Sequence, residues 1–229
     1  MALDLYIGNK NYSTWSLRPW MVLKVFNIEF NEHWIQFDDF SADGAFKQYA
    51  RAIHPTATVP ILRHHDLVIS DSLAICEYLA ELFPDLALWP EQRDQRARAR
   101  SICAEMHSSF TQLRQLCPMN IEADLSHIGQ QLWKSHPALR EDVKRIQDIW
   151  AERPHADGFL CGAAWSIADA FYAPVIMRFL SYDLPISSKN QAYVDRILNL
   201  EATQIWMNQA RQEHCFVAID EPYRTQAEP

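Results

Sequence analysis

Thr58-Val59-Pro60-Ile61-Leu62, followed by Leu67-Val68-Ile69-Ser70-Asp71-Ser72-Leu73-Ala74-Ile75-Cys76-Glu77-Tyr78-Leu79, is the stretch on which the reading of this chain turns. A short apolar run, a turn at His64-His65-Asp66, a second apolar run and an amphipathic segment predict a β-hairpin feeding a helix. Ser70-Asp71-Ser72 falls where strand gives way to helix, so unpaired backbone N–H groups and the positive end of the helix dipole collect there. Such a joint seats a carboxylate. Asp71 beside it offers a partner for an ammonium, and together they suit both ends of an amino-acid zwitterion. Pro60 opens a strand, where the missing N–H does no harm. Were its peptide bond cis, the Val59 backbone would face outward and could pair with an extended ligand as an added strand does. On spacing alone the same residues also read as a plain N-cap, at Ser70 or Ser72, and a plain strand-start proline.

Working back towards the N-terminus, Leu3-Asp4-Leu5-Tyr6-Ile7 alternates as a strand, and Gly8-Asn9-Lys10-Asn11 reads as the turn after it. Tyr12-Ser13-Thr14-Trp15-Ser16-Leu17-Arg18-Pro19-Trp20 then runs into Met21-Val22-Leu23-Lys24-Val25-Phe26. Serine and threonine ahead of an apolar periodic run are N-cap candidates, and Pro19 is expected in the first helical turn. A Ser13 hydroxyl at that helix start can donate to a thiolate and favour its ionised form. Lowering a thiol from about 8.5 by about two pH units takes roughly 2.7 kcal/mol, which one good donor and a helix dipole can supply. The alternative is that Ser13, Thr14 and Ser16 merely cap the helix. Tyr12 is a rival donor.

Between these stretches, residues 30–37 are expected to form a second strand, residues 38–43 an acidic loop and residues 45–52 a short helix. The order is β-α-β-α-β-β-α. His33, His54, His64 and His65 show no metal-ligand spacing and read as turn or surface residues.

The Val-Pro, hairpin, Asp-Ser-x-Ala-Ile-x-x-Tyr-Leu succession resembles the glutathione-binding half of the cytosolic glutathione transferases. The resemblance implies an N-terminal thioredoxin-like domain followed by a C-terminal helical-bundle domain, α/β plus all-α. It assigns Val59 to pairing with the cysteinyl backbone of glutathione, and Asp71 and Ser72 to its γ-glutamyl end. Ser13-Thr14-Trp15-Ser16-Leu17-Arg18 is similar to the serine-type members, above all the zeta class, whose pattern is Ser-Ser-Cys-Ser-x-Arg. By that match Ser13 is the thiolate-stabilising, catalytic residue. Trp15 stands where that class has cysteine, which weighs against maleylacetoacetate isomerase activity and leaves no active-site cysteine for disulfide chemistry. The implied activity is attack of glutathione, as cosubstrate, on a small electrophile in a cytoplasmic homodimer. Glutathione-dependent cis-trans isomerisation, or a catalytically weak binding protein on the same fold, are the alternatives.

Residues 84–92, bracketed by Pro84 and Pro90, read as a linker after a first domain at 1–83. Beyond it the pattern is helical: 91–117 as one amphipathic helix, 121–151 as another with a break near Ser135-His136-Pro137, then 171–182, 190–198 and 202–212. His107, Phe110 and Arg114 share a face that could edge an acceptor pocket. Arg93, Arg96, Arg98 and Arg100 read as a solvated face or a dimer contact. Ser166-x-x-Asp169 has capping-box spacing and resembles the family's second-domain box, a folding role. The helical domain is expected to span 93–219, and 220–229 to form a loose polar tail.

Bulk properties agree with a soluble enzyme. A chain of 229 residues with a net charge of −8 buries a substantial core and lacks the basic balance of a nucleic-acid binder. Five scattered cysteines without CxxC indicate neither a disulfide framework nor a zinc site; no metal is expected. Asp4 near the start and the absence of a long apolar run predict no secretory leader and no membrane span.

Overall fold

The computed structural model describes residues 2–226. Four strands, β1 (Leu3–Ile7), β2 (Asn31–Trp34), β3 (Ile61–His64) and β4 (Leu67–Ser70), form one sheet in the order β2-β1-β3-β4. β1 runs parallel to β2 and antiparallel to β3, which pairs antiparallel with β4. The side chains of β1 and β3 obey the two-residue period of a pleated strand. Leu3, Leu5, Ile7 and Leu62 join the large core beneath α1 (Thr14–Val25) and α3 (Ser72–Leu82). Tyr6 and Ile61 point the other way, into a small cluster with Ile35 and Phe46 of α2 (Ala45–Ile53). This is the thioredoxin-like arrangement.

α1 is buried on every side from Ser16 to Leu23 because it lies between the sheet and the helical half. Pro19 sits inside it, a turn later than expected, since the helix begins at Thr14 with Ser13 as N-cap. The helical half comprises α4 (Arg93–Ser108), α5 (Thr111–Leu116), α6 (Ser126–Ser135), α7 (Pro137–Ala151), α8 (Ile167–Ser181), α9 (Ser188–Leu198) and α10 (Glu201–Gln212). α8 is its axis, with every residue from Ile167 to Phe179 buried and Pro174 accommodated within it. Gly129 of α6 lies so close to the α8 C-terminus that an added Cβ would meet the Tyr182 carbonyl at 1.7 Å, so no larger residue fits there.

Several expected elements differ. β2 is four residues long rather than the whole of 30–37. The helix expected over 91–117 is two, because Phe110 adopts a left-handed conformation (φ 60°) and Asp142 of α7 caps the second piece by accepting from Gln112 N and Leu113 N, both at 3.0 Å. Residues 121–125 are not helical; the expected break at His136 separates α6 from α7. His64 is buried, its Nδ1 2.6 Å from the Tyr78 hydroxyl. The described part of the tail, 220–226, is pinned rather than loose. Glu221 is buried, Tyr223 donates to the Leu116 carbonyl at 2.8 Å, and Arg224 pairs with Glu122 and Glu221; residues 227–229 lie outside the described residues. The connection over 84–92 is anchored as well. Trp89 Nε1 donates to Glu77 at 3.0 Å, and Ile167 N donates to the Leu88 carbonyl at 2.9 Å. The basic run is engaged within the chain, Arg98 with Glu152 and Arg100 with Glu77.

Asp169, wholly buried, accepts from Leu160 N, Ser166 N and Tyr193 Oη at 3.0, 2.9 and 3.2 Å. Burial pushes its carboxyl up to about 6 while these donors pull it down. Asp169→Ala removes the acceptor of four buried donors, the Ser166 hydroxyl included, and is expected to cost about 3 kcal/mol in urea unfolding, with Asp169→Asn losing less.

Candidate active site

A cleft of about 770 Å³ opens between the two halves. Its thioredoxin-like wall is made by three joints of the fold. The first is the start of α1. Ser13, only 5% exposed, takes the N-cap, accepting from Ser16 N at 3.3 Å and donating to Ser16 Oγ at 2.7 Å. Ser16 Oγ in turn accepts from Gly8 N at 3.2 Å, so two hydroxyls and a backbone amide form a short chain at a helix N-terminus. The second joint is the Val59–Pro60 bond, which is cis; both residues line the cleft beside Thr56 and Thr58.

The third joint is the start of α3. Neither Ser70 nor Ser72 caps it: Asp71 does, with φ 81°, its Oδ1 accepting from Leu73 N at 2.8 Å and Ala74 N at 3.2 Å. Its Oδ2 lies 3.2 Å from His107 Nε2 at the end of α4. Asp71 is therefore shared between the cap and the cleft. Ser72, 1% exposed, accepts at its Oγ from Arg18 Nη1 at 3.3 Å, which leaves the serine proton free to point towards a ligand. Ser13, Val59, Asp71 and Ser72, singled out in the sequence, thus line one cavity.

Tyr12 also lines the cleft, but its hydroxyl lies 2.6 Å from Glu221 Oε1 and 2.7 Å from the Cys215 carbonyl. Burial and the Glu221 carboxylate push its phenol well above the ordinary range. Its proton is committed to the segment 213–226, a strap that crosses from α10 to the cleft.

The helical wall carries Arg114, which the sequence placed at the edge of an acceptor pocket, and Arg178, which it did not single out. Arg114 of α5 and Arg178 of α8 both line the cleft, and Arg18, wholly buried, stacks between Trp15 and Phe171 at 4.2 and 4.5 Å. Burial lowers the Arg18 guanidinium to about 9 and Arg178 to about 10, in each case with help from nearby Arg114. No carboxylate forms an ion pair with any of the three among the described residues, and Arg18 Nε has no hydrogen-bond partner there. A solitary arginine inside the apolar run of α8 was the available signal for Arg178. Asp220, at the end of the short 3₁₀ turn Ala218–Asp220, completes the wall and gave no signal in a polar tail. His107 and Arg114 do edge the cleft, whereas Phe110 lines a small hollow behind it. Trp15 packs edge-on to His107 at 5.1 Å.

Among the described residues no group of three or more His, Cys, Asp or Glu side chains is placed to hold a metal ion. Among the described residues no helix is long and apolar enough to cross a membrane. Cys76, Cys103, Cys117 and Cys161 are buried, and burial pushes each thiol up.

A thioredoxin-like half with a cis-proline and a serine at a helix N-cap faces a helical half across one cleft. The family model for the glutathione S-transferase N-terminal domain matches residues 12–82, and that for the C-terminal domain matches 94–199. The chain belongs to the cytosolic glutathione S-transferase superfamily. It is 28% identical over 180 residues to glutathione S-transferase 1 of Dianthus caryophyllus, covering 78% of each chain. It is 26% identical over 207 residues to maleylacetoacetate isomerase of Rattus norvegicus, covering 88% of this chain and 90% of the other. In fold it is similar to the crystal structure of a glutathione transferase homologue from Burkholderia with bound glutathione, at a TM-score of 0.68 and 24% identity. That match covers 93% of this chain and 100% of the other.

Tyr12→Phe removes the hydroxyl that ties the strap to the start of α1. Limited proteolysis within 213–226 is expected to quicken roughly five- to ten-fold, the equivalent of about 1–1.5 kcal/mol of local stability; an unchanged cleavage rate would show the strap to be held elsewhere.

Proposed function

We propose that this protein is a glutathione transferase that activates the glutathione thiol for attack on small electrophiles. The observation that carries the reading is the convergence of the Ser13 hydroxyl, the Val59–Pro60 cis bond and the Asp71-Ser72 helix start on one cleft, in a chain matched by both family domains. In this reading the γ-glutamyl carboxylate of glutathione sits at the α3 N-terminus against the Ser72 hydroxyl, where the helix dipole favours an anion. Arg18 behind Ser72 adds a buried positive charge. Asp71 turns its Oδ2 to the ammonium, and the Val59 backbone pairs with the cysteinyl residue.

The thiol then lies at Ser13. Hydroxyl protons rotate, so Ser16, held as an acceptor by Gly8 N, can donate to Ser13 and release the Ser13 proton to the sulfur. A thiolate stabilised by that donor and by the α1 dipole attacks an electrophilic carbon; the sulfur–carbon bond forms as the bond to the leaving group breaks. Glutathione supplies the nucleophile as cosubstrate, and the protein supplies orientation and electrostatics. The domains are taken as 1–83 and 93–219 joined by 84–92, and the protein as a cytoplasmic homodimer with no nucleic-acid or membrane partner.

A second reading, glutathione-dependent cis-trans isomerisation, is favoured by the rat relative and by two arginines on the acceptor wall, which suit a carboxylate-bearing diene. Consumption of glutathione separates the two. A transferase depletes it; an isomerase turns over a cis-diene dicarboxylic acid with none consumed.

Ultraviolet difference spectra of the glutathione complex against pH test the role of Ser13. The wild-type thiolate band is expected to titrate about two pH units below free glutathione, and Ser13→Ala to raise that titration by about one to two pH units. Because the thiol is depressed, activity is held above its titration and lost as pH falls through it. Tyr12→Phe should leave the titration in place. An equal titration in wild type and Ser13→Ala would sink the Ser13 mechanism.

A further inference from the structure

The acceptor half of the cleft is unusual in its charge. Arg114 and Arg178 line it and repel each other and Arg18, and no carboxylate pairs with these guanidiniums among the described residues. The carboxylate that comes into the same part of the cleft is Asp220, and it comes from the strap, not from a helix. The strap is held there by independent ties. Tyr12 bonds Glu221 and Cys215, Tyr223 bonds Leu116, Arg224 bridges Glu221 and Glu122, and Glu213 accepts from Lys10 N at 2.6 Å. Asp220 is thus delivered to a fixed place opposite a cationic wall.

We propose that Asp220 sets the charge preference of the acceptor half: its carboxylate offsets Arg178, so acceptors bearing a carboxylate or sulfonate are held weakly while it is ionised, and neutral acceptors are indifferent to it. The inference rests on the transferase reading for the word acceptor. It goes beyond that reading in naming the residue that discriminates by charge. Burial pushes the Asp220 carboxyl up to about 6, against the pull of Arg178 and with the push of Glu221, so the discrimination changes within a physiological range. The other charged or titratable groups around this space are His107 from α4, Arg114 from α5, Lys47 from α2, Asp71 at the start of α3 and Tyr12 ahead of α1. Several charged groups share this space, so the wild type alone cannot assign the effect to one of them. The difference between wild type and Asp220→Asn can.

The probes are anilinonaphthalene sulfonate and phenylnaphthylamine, which share one apolar frame and differ by a permanent negative charge. Fluorescence titration gives a Kd for each. At about pH 8, Asp220→Asn is expected to bind the sulfonate roughly three- to ten-fold more tightly than wild type, the effect of removing one like charge several ångströms away in a partly buried site. The neutral dye should bind both proteins alike. Towards about pH 5 the advantage of the variant should vanish, because a protonated aspartic acid carries the same charge as asparagine. Asp220→Glu, which keeps the charge, should restore the wild-type ratio.

Equal sulfonate affinity in wild type and Asp220→Asn would overturn the proposal. So would a parallel change for both dyes, a difference that persists at low pH, or failure of either dye to bind. Dye binding needs no turnover, so a protein inert towards every electrophile would count against the transferase reading while this result still stood.

Discussion

The structure depends on how the loop between β1 and α1 is satisfied. Residues 8–13 are nearly all buried, and a buried loop must find partners for every backbone amide and carbonyl. Some of those partners are local, such as Ser16 Oγ for Gly8 N and the Asn9 carbonyl for Tyr12 N and Ser13 N; others come from the helical half. Glu213 accepts from Lys10 N, Asn11 N and Asn9 Nδ2, and Asn11 Oδ1 accepts from Ile121 N and Glu122 N at 2.7 and 2.9 Å. Trp206 donates to the Lys10 carbonyl at 2.9 Å, while the Lys10 ammonium pairs with Glu32 and faces the Trp20 and Trp206 rings. Without this lattice Ser13 would have no fixed position, because the loop that carries it has no strand or helix of its own.

The electrostatics of the cleft follow from the same economy of carboxylates. Two helices, α1 and α3, begin at the thioredoxin-like wall, and three guanidiniums stand behind or across from them. Burial lowers each guanidinium, and a cavity with positive walls and a low-dielectric lining strengthens its hold on negative charge. A tripeptide that carries a carboxylate at each end and a thiolate at its centre fits that field. Stacking of Arg18 between Trp15 and Phe171 shows how the protein tolerates such a charge: the aromatic faces replace part of the lost hydration.

The thioredoxin-like half was legible because its signals are local. The Val-Pro strand start, the two-residue period of β1 and β3, and a cap followed at once by an apolar helix all lie within a few residues of each other, and Ser13, Asp71 and Ser72 announced themselves there. What escaped the sequence was set by distant partners. Nothing near Phe110 marks the break between α4 and α5, because the cap that stabilises it, Asp142, arrives from α7. Asp71 rather than a serine caps α3, a choice its backbone conformation decides. The polar composition of 213–226 suggested a loose tail; only the positions of Tyr12, Leu116 and Glu122 in space explain why it is fastened. Arg178 looked like one more residue of an apolar helix until α5 and the strap were set against it.

Because α1 is covered by the sheet on one flank and by α8 and α10 on the others, its hydrophobic faces belong to both halves at once. Neither half retains a closed core when the other is removed, and the two are therefore expected to melt as a single cooperative unit despite the boundary visible in the sequence. Recombination between relatives has to respect this. A chimaera that joins the thioredoxin-like half of one member to the helical half of another inherits an α1 fitted to the wrong neighbours, and natural exchange of whole halves is constrained by the complementarity of that one buried helix.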